Sequence, residues 1–476
     1  MASRSYFYPS ASLSWIASST FNLPSYVSLL KLRGGIAQVG NDTNPYALEP
    51  VLGTDSWGNL VSNTFPGTLL NPNLRPEINS SQEFGLDLNL FNNRFRFEGT
   101  YFYEENTNQI LNVQSPSSSG FNAKQINAGL ISSRGWEIMI GGTPIKTQSG
   151  LTWNLDVNLT RMRTRLESLT PGMNFITLWD DNNGGAQTFV GQDIGDLYSR
   201  GYRKVNNPSS PYHNWPVLTP QGSWIPENAR ESRIKVGNFN PDVIIGIQSN
   251  LRYGRWNLQT SFDWRVGGQY QSFSYRYGGS NWKSQLQIDN LIQGGLYTPD
   301  QLVALLKSNP EKYIIPINGN FPRIGGYTKE TGGFPIALGT GTNFDGVFIP
   351  GVIETSPGVY KEHLGGEGTR MIQASNMFAW SYNQQVTFDA DFLKMRELAL
   401  SYDLPKIKGF KAATISVFTR NLILWTKANN GIDPERAFTI TGSKQGDTQN
   451  IFRQGLELQN VQPWTVSYGF KLNFTL

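Results

Sequence analysis

The end of the chain alternates strictly between apolar and polar side chains. Between residues 464 and 476 every second residue is apolar or aromatic, and the residues between them are polar or small. Because successive side chains of a β-strand point to opposite faces, this pattern predicts one long strand with an apolar face and a polar face. Soluble strands typically have roughly 5–6 residues, so a strand of this length needs an explanation.

The same alternation recurs along the chain and predicts eleven strands. They are expected near 6–18, 27–39, 80–91, 94–113, 131–145, 151–168, 242–253, 256–275, 386–404, 411–427 and 463–476. Most of them reach the roughly 9–11 residues that a tilted strand needs to cross a bilayer. On the last strand, Phe470 and Leu472 with Val466 are predicted to meet lipid, and Lys471 and Asn473 to face a polar lumen.

Short and long connections alternate between these strands. The sequence predicts tight turns at 92–94, 146–150, 253–255 and 405–410, and long stretches at 40–79, 114–130, 169–241, 276–385 and 428–462. Outer-membrane barrels have short periplasmic turns and longer extracellular loops, whereas such long loops are uncommon inside a compact soluble domain. One long stretch contains a predicted helix, with Thr298 as its N-cap and Pro299 as its first residue.

Composition narrows the choice of fold and function. Hydrophobic residues make up 38% of the chain, and no run reaches the roughly 18 apolar residues of a spanning helix. A net charge of +4 without a long basic tract gives little support to nucleic-acid binding. Cys is absent, which excludes disulfides and thiol chemistry. A soluble β-sandwich or propeller is the alternative that alternation alone leaves open.

The odd number of predicted strands creates a closure problem. Bacterial single-chain barrels have an even number of strands, and an unpaired strand edge in lipid leaves backbone N–H and C=O groups unsatisfied. Either the count is wrong by one, or the remaining strands of the barrel come from elsewhere.

Several sequence motifs occur in an order that is found in one known family. The clearest are NPNLRPEINSSQEFGLDLNLFNNRFRFEGTYF at 71–102, DFLKMRELALSYDLP at 391–405 and TRNLILWTKANNGIDPE at 419–435. By these motifs the chain resembles the C-terminal half of the SusC/RagA family, the TonB-dependent outer-membrane transporters of Bacteroidota. The likeness covers most predicted strands and is weak in 169–236 and 276–385, except around 344–351. Leu476 departs from the Phe that usually ends these chains.

The resemblance implies an all-β fold, a transmembrane antiparallel β-barrel in which residues 1–476 supply about 11 of 22 strands, with the plug domain and TonB box absent from this chain. It implies import of a glycan or peptide nutrient across the bacterial outer membrane, with a SusD-like surface lipoprotein as partner. TonB would act through a plug carried by a second polypeptide or an upstream segment. The alternative function is that of a split or degenerate barrel, a structural or docking component of an outer-membrane complex.

No catalytic constellation or metal site is predicted, and the absence of a nucleophile–base pair argues against an enzyme. The sequence predicts neither a cofactor nor particular substrate-binding residues. His213 and His363 lack metal-ligand spacing and are expected to be solvated. Asp180 and Asp181 are expected to be hydrated, because the alternating ligands of a calcium loop are missing. The segment GTGTNF at 339–344 does not join a strand to a helix, so no phosphate loop is expected there.

The long stretches are rich in aromatic residues, which either bind sugars or peptides or pack the stretches together. Packing is the prediction favoured for Trp179, Tyr202, Trp215, Trp224 and Trp282.

Overall fold

The largest element of the protein is an antiparallel sheet of eleven strands, hydrogen-bonded in the order of the sequence. The computed structural model describes residues 6–43, 48–58, 60–114, 117–180, 183–280, 299–311, 346–347, 349–365, 372–373, 382–438, 454–458 and 464–475. The sheet strands, labelled β1 to β11, are Ser10–Ile16, Val27–Asn41, Glu77–Leu90, Phe95–Thr107, Leu130–Lys146, Leu151–Ser168, Val243–Tyr253, Trp256–Val266, Phe392–Asp403, Ala412–Thr426 and Ser467–Thr475. Each corresponds to one predicted strand, so the predicted number of strands is confirmed.

Three predicted strands were too long. Asn108, with a φ of 57°, ends β4, and the residues after it form a separate short strand. Gly267 and Gly268, with φ values of 79° and 83°, end β8. Another short strand precedes β9. At the first two sites the left-handed backbone turns the chain out of the sheet, although the apolar pattern continues beyond it.

The apolar side chains of neighbouring strands lie on one face of the sheet. Tyr101 of β4 is opposite Trp136 of β5, and their ring centroids are 4.7 Å apart. On the last hairpin Phe470 is opposite Val417, and their residues are 74% and 54% exposed. This protein surface leaves large apolar groups uncovered, as a lipid-facing wall does.

Charged side chains pair on the opposite face. Arg33 of β2 is 3.3 Å from the Asp87 carboxylate of β3, and it donates a 2.6 Å hydrogen bond to Thr100 of β4. Arg96 of β4 is 2.6 Å from Asp156 of β6. The two faces of the sheet therefore differ in polarity as the alternation predicted.

The sheet does not close on itself. Among the described strands, β1 pairs with β2 alone and β11 pairs with β10 alone. The two outermost strands do not pair with each other to form a small barrel from this chain.

The long connections fold into smaller elements. Their strands are Gly53–Trp57, Leu60–Thr64, Thr68–Leu69, Ile110–Gln114, Ala123–Asn127, Phe175–Asp180, Gly184–Phe189, Asp196–Ser199, Gly201–Tyr202, Val217–Leu218, Pro226–Glu227, Ile234–Asn238, Gln269–Ser272, Gly346–Val347, Gly351–Ser356, Val359–His363, Ile372–Gln373, Thr387–Asp389 and Leu456–Glu457. The α-helices are Ala17–Thr20, Phe273–Ser280 and Pro299–Ser308, and the 3₁₀ turns are Ser117–Ser119, Arg230–Ser232, Asn383–Val386 and Pro434–Ala437. None of the described helices is long and apolar enough to cross a membrane.

The predicted helix at Pro299 is confirmed, while Thr298 lies outside the described residues. Its side chains Leu302 and Leu306 are buried against Trp224 and Val352 in one hydrophobic core. Residues from two long stretches, 169–241 and 276–385, thus share an interior at one end of the sheet. The described residues that connect β6 to β7, β8 to β9 and β10 to β11 at this end form what we call the loop body. Two further cores belong to it, one around Tyr270 and Phe388 and one around Trp179 and Leu197.

Candidate functional site

Four of the five aromatic residues singled out in the long stretches are buried in the structure. Trp179, Tyr202, Trp215 and Trp224 are all buried in the hydrophobic cores of the loop body. Tyr202 and Trp224 lie with ring centroids 6.2 Å apart. The packing prediction is confirmed for these four residues, and Trp282 lies outside the described residues.

The expected hydration of His363 was wrong. His363 is buried, and its Nδ1 lies 2.7 Å from the carbonyl oxygen of Ile349. The carbonyl oxygen is a hydrogen-bond partner in place of water. The composition of a loop does not by itself predict such a contact. His213 is partly buried.

Asp180 was expected to be hydrated, but it is ion-paired instead. Both of its carboxylate oxygens accept hydrogen bonds of 2.9 Å from Arg233. Because the guanidinium occupies the carboxylate, this residue is not a cation ligand. Asp181 and the segment 339–344 lie outside the described residues, and the described part of the chain contains no cluster of potential metal ligands.

A charge network joins the sheet to the segment that follows β10. It lies at the end of the sheet nearest the loop body. Lys394 of β9 is fully buried, and its Nζ lies 2.6 Å from Asp433 and 2.7 Å from Glu435. Asp433 also caps the 3₁₀ turn Pro434–Ala437 by accepting a hydrogen bond from the backbone N–H of Glu435. A buried cation is tolerated only when it is paired in this way.

Arg396 extends the network along β9. Its guanidinium lies 2.6 Å from Glu435 and 2.5 Å from Asp263 of β8. Burial opposes ionisation of Glu435, but hydrogen bonds from Arg396 and Lys394 outweigh it and lower the pKa to about 2. We call these five residues, Asp263, Lys394, Arg396, Asp433 and Glu435, the anchor network, because they attach the loop body to the sheet.

A second polar cluster binds three parts of the loop body together. Glu457 is buried, and its carboxylate accepts 2.7 Å hydrogen bonds from the hydroxyls of Ser272 and Ser274. The guanidinium of Arg436 is 3.1 Å from the same carboxylate. These contacts hold separate segments of this chain together, so we assign the cluster a structural role.

A polar cavity of about 450 Å³ lies where β6 meets the loop body. Its charged lining residues are Arg163, Arg165, Asp193, Asp196, Lys235 and Asp242. Four of these charges are already paired inside the protein, since Lys235 lies 2.7 Å from Asp196 and Arg163 is paired with Asp242. Mixed signs and internal pairing make this cavity a poor match for a strongly charged ligand.

The anchor network was not predicted, although four of its five residues lie in the motifs quoted above. Lys394 and Arg396 belong to the 391–405 motif, and Asp433 and Glu435 belong to the 419–435 motif. Two basic residues with one residue between them on a strand, followed by an Asp-Pro-Glu turn, are the signal that could have indicated it.

Curated relatives match large parts of the chain. TonB-dependent receptor P26 of Formosa agariphila is 24% identical over 288 residues, which cover 57% of this chain and 29% of the relative. TonB-dependent receptor P39 of the same organism is 27% identical over 201 residues, covering 42% of this chain and 18% of the relative. The chain thus spans less than a third of the length of these relatives.

Solved structures share the fold. The RagAB peptide transporter aligns with a TM-score of 0.59 and 16% identity, covering 90% of this chain and 40% of that one. The RagAB peptide importer in its open-open state gives a TM-score of 0.57 at 15% identity. These likenesses agree with the resemblance found in the sequence motifs.

The decisive comparison concerns the sheet itself. A family model described as the β-barrel of TonB-dependent receptor-like proteins matches residues 2–291, more than half of the chain. The strands β1 to β8, with their two-faced alternation and their tight turns, all lie in this range. The chain therefore belongs to the TonB-dependent receptor β-barrel family.

Proposed function

We propose that the chain forms the C-terminal half of the barrel of a SusC-like TonB-dependent transporter. The transporter imports a glycan or peptide nutrient across the outer membrane together with a SusD-like surface lipoprotein. Family membership implies the outer membrane. The observation that carries the proposal is the open sheet of eleven strands, with an uncovered apolar face and a paired, charged face. Eleven strands are half of the 22 that the resemblance in the sequence motifs implies.

Closure of the barrel requires further strands. In lipid, the free N–H and C=O groups of β1 and β11 cannot stay unpaired, since each unsatisfied group costs several kcal/mol. We therefore assign the missing pairing to an upstream segment or a second polypeptide. The same segment carries the plug through which TonB acts.

The loop body lies outside the cell in this proposal, and the tight turns lie in the periplasm. Longer connections on the extracellular side are the rule for barrels of this kind. The loop body has its own hydrophobic cores, so it is stable in water beyond the membrane. Its outer surface is where a lipoprotein lid docks.

The charged face of the sheet suits a wall against which a plug moves. The Arg33–Asp87 and Arg96–Asp156 pairs are partly exposed, with side chains between 16% and 40% accessible. Such pairs contribute about 0–1 kcal/mol each and exchange partners at small cost. A plug segment pulled by TonB can then slide along the wall without breaking a strong contact.

Uptake experiments test transport directly. The full-length protein and its co-expressed lipoprotein are compared with a tonB deletion strain, with labelled oligosaccharide and peptide pools as probes. We expect uptake of one pool that is lost in the deletion strain. An assembled outer-membrane complex that takes up neither pool contradicts transport and favours the docking alternative.

The pairing of the sheet edges tests the half-barrel assignment separately. A photo-crosslinking amino acid at Asn473 of β11 should capture a strand that is not part of residues 1–476. Mass spectrometry of the crosslinked peptide identifies it. A crosslink from Asn473 to Ser12 of β1 would mean that this chain closes alone, and the half-barrel assignment would then be wrong.

A further inference from the structure

The outer face of β6 changes from apolar to basic along its length. Leu155, Val157 and Leu159 lie on the face that the alternation predicts for lipid. The next residues on the same face are Arg161, Arg163 and Arg165. The basic part is the end of β6 nearest the loop body, because the tight turn 146–150 is at the other end.

The register places these arginines directly beyond a pair of aromatic rings. Arg161 is opposite Trp136 of β5, whose ring contacts Tyr101. Arg163 is opposite Arg134, which lies two residues from Trp136 on the same face of β5. Aromatic residues of this kind form girdles at the two interfaces of a barrel with its membrane. The arginines therefore start at the level where the acyl chains end.

Two of the arginines are bound to the protein and two are not. Arg163 donates a 2.6 Å hydrogen bond to the carbonyl of Pro241 and is paired with Asp242, and Arg165 is 3.5 Å from Glu167. Arg134 and Arg161 are exposed, and within the described residues neither has a hydrogen-bond or ion-pair partner for its guanidinium. Both cations are thus available to a ligand.

The surrounding wall supplies no similar positive charge. On β7 the adjacent residues of this face are Val243 and Ile245, of which Ile245 is opposite Leu159. On β4 the neighbour is Tyr103, whose hydroxyl donates a 2.6 Å hydrogen bond to Glu105. The free positive charge is therefore local to the β5–β6 hairpin.

We propose that Arg134 and Arg161 bind the phosphate groups of an anionic lipid in the outer leaflet of the outer membrane. This rests on the proposed sidedness, in which the loop-body end of the wall is extracellular. Guanidinium groups match phosphate oxygens by paired, charge-assisted hydrogen bonds. Basic side chains next to a membrane are attracted to anionic headgroups.

The spacing of the two residues fits one headgroup. They are diagonal neighbours on an antiparallel pair, for which Cα atoms are about 7–8 Å apart. Their long side chains can therefore converge on a single phosphate or reach two phosphates of one lipid. Trp136 and Tyr101 contact the apolar part of the same molecule.

Lipid binding is measured on the purified full-length transporter in detergent by native mass spectrometry. The probe is diphosphorylated lipid A, with its dephosphorylated form as the second ligand. We expect the phosphorylated lipid to bind, and Arg134→Gln/Arg161→Gln to weaken its affinity about tenfold, as expected for the loss of charge-assisted hydrogen bonds. Arg134→Lys/Arg161→Lys should retain more affinity than the Gln variant, because the charge is kept.

A matched control removes two exposed positive charges at the opposite end of the wall. Arg255→Gln/Lys408→Gln changes the tight turns and should leave the affinity unchanged. Equal affinities of wild type and Arg134→Gln/Arg161→Gln, or equal binding of both lipids to the wild type, would overturn the proposal. Neither measurement involves uptake, so a failure here is distinct from a failure of the transport function.

Discussion

Large apolar side chains are exposed on the sheet but buried in the loop body. In the sheet, Phe470 is 74% exposed and Leu472 is 49% exposed. In the loop body, Leu302 and Leu306 are 1% and 0% exposed. The sheet relies on surrounding lipid to cover its apolar face, whereas the loop body builds its own interior, as a domain in water must. One chain is thus adapted to two solvents.

Charged residues show the same contrast. Arg96 and Asp156 on the polar face of the sheet are 40% and 34% exposed as side chains, whereas Lys394 in the anchor network is 0% exposed. Exposed pairs contribute little to stability, but breaking a buried pair is costly. The anchor network is therefore the point at which the two regions depend on each other most strongly.

Loss of the buried cation should give the largest effect. Lys394→Met leaves Asp433 without its cation, and we expect the folded protein to lose about 3–5 kcal/mol of stability. Unfolding in detergent measures the loss, and protease cleavage within 427–438 should increase. Lys427→Met is the matched control, since its 3.1 Å pair with Asp389 is half-exposed and should contribute less than about 1 kcal/mol. Similar losses of stability in both variants would contradict the view that the buried pair contributes more than the half-exposed pair.

A Leu→Ala substitution in each region compares the buried core of the loop body with the apolar face of the sheet. Leu306→Ala leaves a cavity in the loop body and should cost about 2–5 kcal/mol. Leu472→Ala should cost less than about 2 kcal/mol, because lipid or detergent fills the space and only the transfer part is lost. Unfolding of both variants in the same detergent gives the difference. A larger loss at residue 472 would mean that this face is covered by protein.

Introduced charge should distinguish the two faces of β11. Phe470→Lys places an ammonium group on the lipid face and should cost about 2–4 kcal/mol if it lies near mid-membrane. Asn473→Lys places the same group on the lumenal face and should be nearly neutral. Folding into lipid vesicles, followed by electrophoretic mobility with and without heating, measures both. The reverse order would exchange the faces of the strand.

The smallest expected effect is a pH dependence in the anchor network. The folded-state pKa of Glu435 is about 2, below its ordinary value of 4.5, so its contribution is complete above about pH 4.5 and is lost as the pH falls towards 2. Protease protection of 427–438 should therefore decrease over this range. Glu435→Gln should be less protected at neutral pH and should change less on acidification. Parallel curves for the two proteins would show that another group controls the transition.

Much of the sheet could be predicted because its signal is local. The alternation in 151–168 and 411–427 needs only neighbouring residues to define a strand and its two faces, and the structure has strands at Leu151–Ser168 and Ala412–Thr426. Prediction failed where backbone geometry overrode the pattern, as at Gly267 and Gly268 after β8. The apolar residues beyond them belong to another sheet.

The loop body could be predicted only in outline. Its aromatic residues indicated packing, and Pro299 indicated a helix, but no periodic pattern says which stretches come together. The ion pair of Asp180 with Arg233 and the burial of His363 both arise from residues that are far apart in sequence. For this reason a hydrated loop was the natural but incorrect expectation for both residues.

The sequence by itself determined that this chain makes two-faced strands joined alternately by tight turns and long stretches, because both properties depend on residues close together in the chain. Only the tertiary structure decided that Lys394 is neutralised by Asp433 and Glu435, and that Trp224, Leu302 and Val352 share one core. These contacts join separate long stretches or link them to the sheet. They depend on how the loop body folds over the end of the sheet, and that arrangement is set by packing and charge pairing in three dimensions.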